Sequence, residues 1–467
     1  MKKSLIVMLL VFALCVGGLV CAHAAVDGTK EEVVLTETVL AGDQSAAEGL
    51  LVETEAYSGN RELVWETSLL YRDNASYDTT FAFYPNGKDY EYSHDPQWVR
   101  VENMSMQEVD YSMSQYDQIE DPYDKMLLSP LMDVLSRAPN GQEYSENVSL
   151  KDYYEYYPVA AGGELFYLKE YTEEEEAEWN EAFREYFRIP VEPDDIQNIH
   201  VETDSEGKLW SWGGGSEEVV VQLNGVSTAS DTAAYFSIDN RVYGVESEET
   251  RYVDTSLIPG GYGIYSIPYK DNKPVVDELF TFYPLEETTY VRDMQMSKDN
   301  RHILVQTVEP DYYLLVIDAE TGETVQKLFL GSGDTYGYLR HFEGFSVWYQ
   351  DEQNLIQVLE LREDGTYEPV LTADVSPIRE RGWDCYDGAA WDGERLALVD
   401  HQMVEVLDDR GYNYNAFLCG FYVAVYTADG LRFLGQYDST LDMEPPNPWW
   451  SITTPEQELS PKVTWVE

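Results

Sequence analysis

The sequence predicts an all-β fold of repeated four-stranded antiparallel sheets, interrupted by one helical insertion. Three observations carry that reading. First, a tight polar turn recurs just ahead of a strand-like run: "DSEGKLWSW" from 204, "SIDNRVYGV" from 237, "SKDNRHILV" from 297 and "WDGERLALV" from 391. Asp, Asn and Gly suit such turns because they accept hydrogen bonds from nearby amides and tolerate left-handed backbone. Second, a later turn marker recurs as "DAETGETV" from 318, "REDGTYEPV" from 362 and "TADGLRFLG" from 427. Gly322 and Gly365 are 43 positions apart, and Gly365 and Gly430 are 65, with extra loop at 376–390 and 408–418. Periods of about 40 to 50 residues with four strands each are those of β-propeller blades. Third, helical periodicity is confined to one stretch, 105–195.

The chain opens with Lys2 and Lys3, an apolar run from Leu5 to Val16, and Ala22-His23-Ala24. That is the order of a secretory signal peptide over 1–24, with the mature chain starting at Ala25 in an extracytoplasmic compartment. Val20 before Cys21 and Leu14 before Cys15 do not fit the small-residue box of a lipoprotein site. No later run approaches the ~20 apolar residues needed to span a bilayer. Cleavage removes two of 30 basic residues and none of 87 acidic ones, moving the formal charge from −57 to −59. Such a field repels nucleic acid and anionic lipid and favours cations. Its plain reading is a solvated exported surface.

Residues 25–104 read as a linker and the first blade or blades. Glu32–Thr36 is a strand, followed by hairpin-like runs and a turn at Pro85-Asn86-Gly87. Within 105–195, Ser129-Pro130 reads as a helix start, with Leu131, Val134 and Leu135 on one face and "APNG" at 138–141 as its stop. Thr172 with Glu175 forms a capping box, and Glu173–Glu176 suit the positive end of a helix dipole. Trp179, Phe183 and Phe187 then recur every four residues until Ile189-Pro190. From 196 to 467 the pattern is β again. The two terminal candidates, Glu32–Thr36 and Lys462–Glu467, are expected to complete one shared blade, because an open edge invites aggregation.

The stretch 291–331 resembles the blades of bacterial exported propellers of the YVTN and tryptophan–aspartate-repeat type. There, "S-x-D-G/N" opens one strand and "v-x-D-x-x-T-G" follows another. The resemblance extends to 335–375 and 385–440. At the blade period, the roughly 350 residues left outside the insertion have room for about seven four-stranded blades.

The search for chemistry finds little. The mature chain has five histidines, at 94, 200, 302, 341 and 401, none at a zinc-like spacing. No metal site and no cofactor are expected, apart from adventitious or structural calcium among so many carboxylates. No Gly-x-Ser-x-Gly elbow occurs, Ser205 to Lys208 matches Ser-x-x-Lys only in letters, and Gly213–Gly215 reads as a loop. "IDAETGETVQ" looks like the docking segment of quinone-binding propellers, but Gln326 stands where their tryptophan would; Asp318 and Gly322 are expected to hold a hairpin turn. Cys385 and Cys419 form one disulfide or remain free thiols.

Flat aromatics are the binding candidates. Trp210 and Trp212 alternate around Ser211, so both rings are expected on one side of a strand. Trp383, Tyr386 and Trp391 surround a Gly/Asp-rich loop, and Trp449 and Trp450 sit in a proline-rich segment. Such rings stack on sugars or peptides; their competing use is to fill gaps between blades. The 37 tyrosines mostly suit half-buried strand positions. The leading expectation is a non-catalytic binding or scaffolding module for an extracellular glycan or peptide. The alternatives are an extracytoplasmic hydrolase or lyase working through carboxylates, and an accessory or sensor subunit docked to an envelope protein through 105–195. Catalytic residues and oligomeric state are not legible.

Overall fold

The computed structural model describes residues 17–18, 34–57, 63–72, 74–84, 99–101, 122–161, 163–166, 171–216, 225–239, 241–242, 251–334, 336–379, 388–407, 413–441 and 461–466. The turn expected at Pro85-Asn86-Gly87 lies outside these residues, as does Cys385. The chain divides into two compact units, one of Met1–Ser93 with Thr335–Glu467 and one of His94–Asp334.

All strand pairing among the described residues is antiparallel. In the first unit, Gly337–Phe342, Phe345–Gln350, Leu355–Leu361 and Tyr367–Asp374 form one meander sheet in chain order. A second sheet orders Gly388–Trp391, Leu396–Leu407, Asn413–Thr427 and Gly430–Ser439, then adds Leu35–Gly42 from the other end of the chain. A third joins Lys462–Trp465 to Leu50–Tyr57, Leu63–Arg72 and Asn74–Phe83. The second unit repeats the pattern in Tyr290–Met296, His302–Val308, Tyr312–Asp318 and Thr324–Gly331. It also has a sheet of Gly225–Ala229, Ala233–Ile238, Gly263–Lys270 and Phe280–Pro284, to which Lys273–Pro274 is appended. This strand order is that of β-propeller blades.

Side-chain alternation explains why the sheets stack. In the sheet built on Leu396–Leu407, Leu396, Leu398, Ala424 and Tyr426 face the core shared with the Phe345–Gln350 sheet. Ala397, Val399, Val423 and Val425 point the opposite way, into the core shared with Leu50, Val52, Leu69 and Tyr71. Both faces of one sheet are therefore buried, and its middle strands read as continuous apolar runs rather than alternating ones. Phe345–Gln350, with five successive buried residues, shows the same effect.

The recurrent turns work as their composition predicts. Asp318 accepts from the amides of Glu320 and Thr321 at 3.1 and 2.8 Å, and Gly322 takes a φ of 71°. Asp318 and Gly322 do hold the hairpin turn. Asp392 likewise accepts from Glu394 and Arg395, with Gly393 at φ 98°. Gly213–Gly215, expected as a loop, is instead strand, paired with Asn198–His200. A neighbour's backbone ladder needs no side chain from the residue it pairs.

The chain termini depart from expectation in a second way. They do not share a blade: Leu35 pairs with Ser439, while Leu50 pairs with Trp465. Each end instead covers the edge of the sheet built by the other end. Arg395 ties the exchange together. Its guanidinium donates to the carbonyls of Ala46 and Glu48 at 3.1 and 2.9 Å and lies 3.9 Å over the Trp465 ring.

Among the described residues of the second unit, two α-helices stand, α1 over Pro122–Arg137 and α2 over Glu173–Tyr186. Helix α1 does not start at Ser129. It begins a full two turns earlier, and Pro130 lies inside it. Proline there removes the amide that would bond the Met126 carbonyl. The Ser129 hydroxyl donates to that carbonyl instead, at 2.6 Å, so the Ser-Pro pair mends a helix rather than opening one. Helix α2 starts at the expected capping box: Thr172 Oγ1 accepts from the Glu175 amide at 3.2 Å, and Glu175 Oε2 accepts from the Thr172 amide at 2.9 Å. Its Trp179, Phe183 and Phe187 are buried with Phe236, Tyr265 and Ile267 of the Ala233–Ile238 sheet. The opposite face of that sheet, through Val226, Tyr235 and Ile264, packs on the Tyr290–Gly331 meander. Helix α2 thus covers the face where a further sheet would stack.

Candidate functional site

Helix α2 and the hairpin beside it border a half-open cavity of about 490 Å³. One wall is a margin of α2, with Glu175, Glu178, Trp179 and Ala182; Tyr171 precedes the helix, and Asp271–Asp277 form the facing wall. The hairpin turns at Asp271 and Asn272, whose φ angles of 53° and 61° belong to the two-residue turn such residues tolerate. Lys270 pairs with Lys273 across that turn, and Tyr269 with Pro274. The wall continues into a 3-10 turn at Val276–Glu278, and the Tyr186 hydroxyl donates to the Asp277 carbonyl at 3.2 Å.

The aromatic floor is rigid. Trp179 is only 6% exposed, and its indole N–H donates to the Ala161 carbonyl at 3.3 Å. Its ring meets Phe166 edge-on at 5.2 Å and Tyr171 at 5.4 Å. With its polar edge consumed inside, the indole offers the cavity apolar surface alone.

Charge is organised around one ion pair. The Lys273 ammonium bonds Glu175 Oε1, while Glu175 Oε2 serves the helix cap. Lys273 first, and the Thr172 amide and hydroxyl after it, hold the Glu175 carboxyl down at about 2. The Lys273 ammonium is correspondingly raised by Glu175. Glu178, Asp271 and Asp277 add three further carboxylates against that single lysine.

The aromatics singled out from the sequence are not brought together here. Trp210 is 75% exposed on Leu209–Ser216. Trp212 is half-buried and packs on the α1 core with Leu128, Leu131 and Val201. The two rings do not share a side, which corrects the expectation. A register shift between Glu202 and Thr203 makes Trp210 the extra residue of a β-bulge and breaks the alternation. Trp391, in the other unit, is half-buried against the Leu396–Leu398 core, with its indole N–H lacking an acceptor. Trp383, Tyr386, Trp449 and Trp450 lie outside the described residues.

Among the groups whose titration burial displaces away from the cavity are Asp293 and His341. Burial raises the Asp293 carboxyl, whose Oδ1 accepts from the Met294 amide at a bulge in Tyr290–Met296. Burial lowers the His341 imidazole to about 4; its Nδ1 lies 2.8 Å from the Ser346 hydroxyl. Among the described residues, no group of three or more His, Cys, Asp or Glu is placed to hold a metal ion, and no helix is long and apolar enough to cross a membrane.

Sequence reasoning read Glu175 as a helix cap, which it is, and missed its second oxygen. The partner is 98 positions away, and no local spacing announces a contact of that range. The available signal was weak: one lysine placed directly after an Asp-Asn turn in a chain where acids outnumber bases almost threefold.

No protein-family model matches the sequence, and no curated protein does. Among solved structures, the chain is similar to the β-propeller domain of Cps50 (Swd1) from Myceliophteria thermophila, at 9% identity and a TM-score of 0.23, over 54% of this chain and 93% of that one. It is similar to BamB from Moraxella catarrhalis at 13% identity and 0.21, over 54% and 79%. The Pan2 WD40 domain of Neurospora crassa gives 12% and 0.20, over 52% and 59%. The blade assignment rests on the strand order and register described above.

Proposed function

We propose that this chain is an exported, non-catalytic binding module whose ligand, an extracellular glycan or peptide, enters the cavity between α2 and the Asp271–Asn272 hairpin. The observation that carries the reading is the cavity's construction: fixed aromatic surface from Trp179 and Tyr171 beside the Glu175 carboxylate, held charged by Lys273 and Thr172. Loops and margins on a rigid scaffold are where binding residues concentrate. A general acid or base works best with a pKa near the operating pH. Glu175, held at about 2, stays ionised and suits recognition rather than proton transfer. Export is supported by the basic, apolar and Ala-His-Ala order of residues 1–24.

The test is a thermal-shift screen of soluble polysaccharides and short peptides, followed by calorimetry on any hit. Tyr171→Ala removes one aromatic face without opening the Phe183–Phe187 core. Affinity is expected to fall by about tenfold, the weight of one stacking contact of ~1–1.5 kcal/mol. A hit that binds Tyr171→Ala as tightly as the parent protein, or is turned over into product, overturns the reading.

A further inference from the structure

Resting on the cavity as a binding site, we propose that its ligand is the ammonium of a peptide lysine side chain, and that Lys273 is a resident ammonium which this ligand displaces from Glu175. The cavity already demonstrates the chemistry. Among its described lining residues the one cation is a primary ammonium on a flexible alkyl stem, seated on Glu175 at the edge of a Tyr–Trp surface. The seat is not saturated by it. Glu178, Asp271 and Asp277 leave the lining three negative charges in excess after Lys273 is counted.

Three features suit a second ammonium of the same kind. Aromatic faces within ~6 Å of a cation attract it through the ring quadrupole, and the alkyl stem of a lysine packs on apolar surface while its head seeks charge. Tyr171 and Trp179 offer that surface next to the carboxylates. Lys273 is easily displaced: its side chain is 67% exposed, whereas Glu175 is 28% exposed and anchored by Thr172. The carboxylate is the built part and the lysine the mobile one. The −59 charge of the mature chain draws cationic segments toward the surface and raises their encounter rate. Among the described lining residues an anionic ligand would instead meet Lys273 against four carboxylates.

The experiment is calorimetry with a lysine-centred hexapeptide and its Nε-acetylated twin, on the full mature chain. The parent protein should bind the first and not the second, with affinity falling as salt is raised. Lys273→Met removes the competitor and should tighten binding about fivefold, the equilibrium weight of an exposed ion pair. Glu175→Gln keeps the capping box, which accepts either residue, and should abolish binding with the melting temperature nearly unchanged. Weaker binding in Lys273→Met, or equal binding of the acetylated peptide, overturns the proposal. If a neutral or anionic ligand is bound instead and lost in Tyr171→Ala, the ammonium assignment fails and the cavity stands. If ligand binding of every charge type ignores Tyr171→Ala, the cavity itself fails.

Discussion

At the scale of single residues, burial decides what titrates. His341 sits on the first strand of its sheet, and desolvation there pulls the imidazole to about 4 from an ordinary value near 6.5. The unfolded chain therefore takes up a proton as pH falls through 6.5, while the folded chain resists until about 4. Between those values the unfolded state binds more protons, so stability falls as pH falls. Melting curves from pH 7 to 4.5 should show that slope, and His341→Asn should flatten it; an identical slope in the variant would mean the histidine is not the source. The turn aspartates act lower. Thr321, through its amide and hydroxyl, holds the Asp318 carboxyl below the usual range, as Ser256 does for Asp254. Their contribution is present at neutral pH and disappears below about 3.8. The Asp318 turn was legible from a few letters, because an Asx turn is a local bond. The desolvation of His341 was not, since it depends on what packs over it.

At the scale of elements, the Ser129-Pro130 pair in α1 shows how a correct rule meets the wrong context. Serine before proline is a good helix opening, yet here the amphipathic run extends upstream and the pair falls mid-helix. The Ser129 hydroxyl replaces the missing amide. Ser129→Ala should cost about 1 kcal/mol, the net value of one hydrogen bond. In a Pro130→Ala background the same change should cost almost nothing, because the restored amide at 130 reaches Met126 itself. A double-mutant cycle by urea unfolding measures this coupling; purely additive losses would show that the hydroxyl does no such repair. Helix α2 presents the opposite case. Its capping box and four-residue aromatic spacing were read correctly because both lie within the helix. Its role in covering a sheet face and walling a cavity was not in the letters.

At the scale of the whole molecule, the two chain ends are exchanged between sheets rather than combined in one. Lys462–Trp465 pairs with Leu50–Glu53, and Leu35–Gly42 pairs with Phe433–Ser439. Arg395 links both, through the Ala46 and Glu48 carbonyls and the Trp465 ring. Removing 462–467 should lower the melting temperature sharply, since it bares the edge of the Leu50–Tyr57 strand and the Arg395 stack together. Arg395→Ala should cost about 2 kcal/mol, as charged hydrogen bonds to part-buried carbonyls do. Combined, the two changes should cost less than their sum, because both dismantle one clamp. Full additivity in calorimetric scans would assign the strand and the arginine to independent roles.

Local order belongs to the sequence itself: the polar turns, the alternation that makes strands, the capped helix and the acidity all follow from neighbours a few positions apart. That much specified blades of antiparallel strands with a helical interruption. Tertiary structure alone decided which edge each terminus covers, which tryptophans stay exposed, and that Glu175 meets Lys273 across a cavity. These are contacts between residues tens to hundreds of positions apart. No periodicity encodes them; they arise only when packed faces bring distant side chains together.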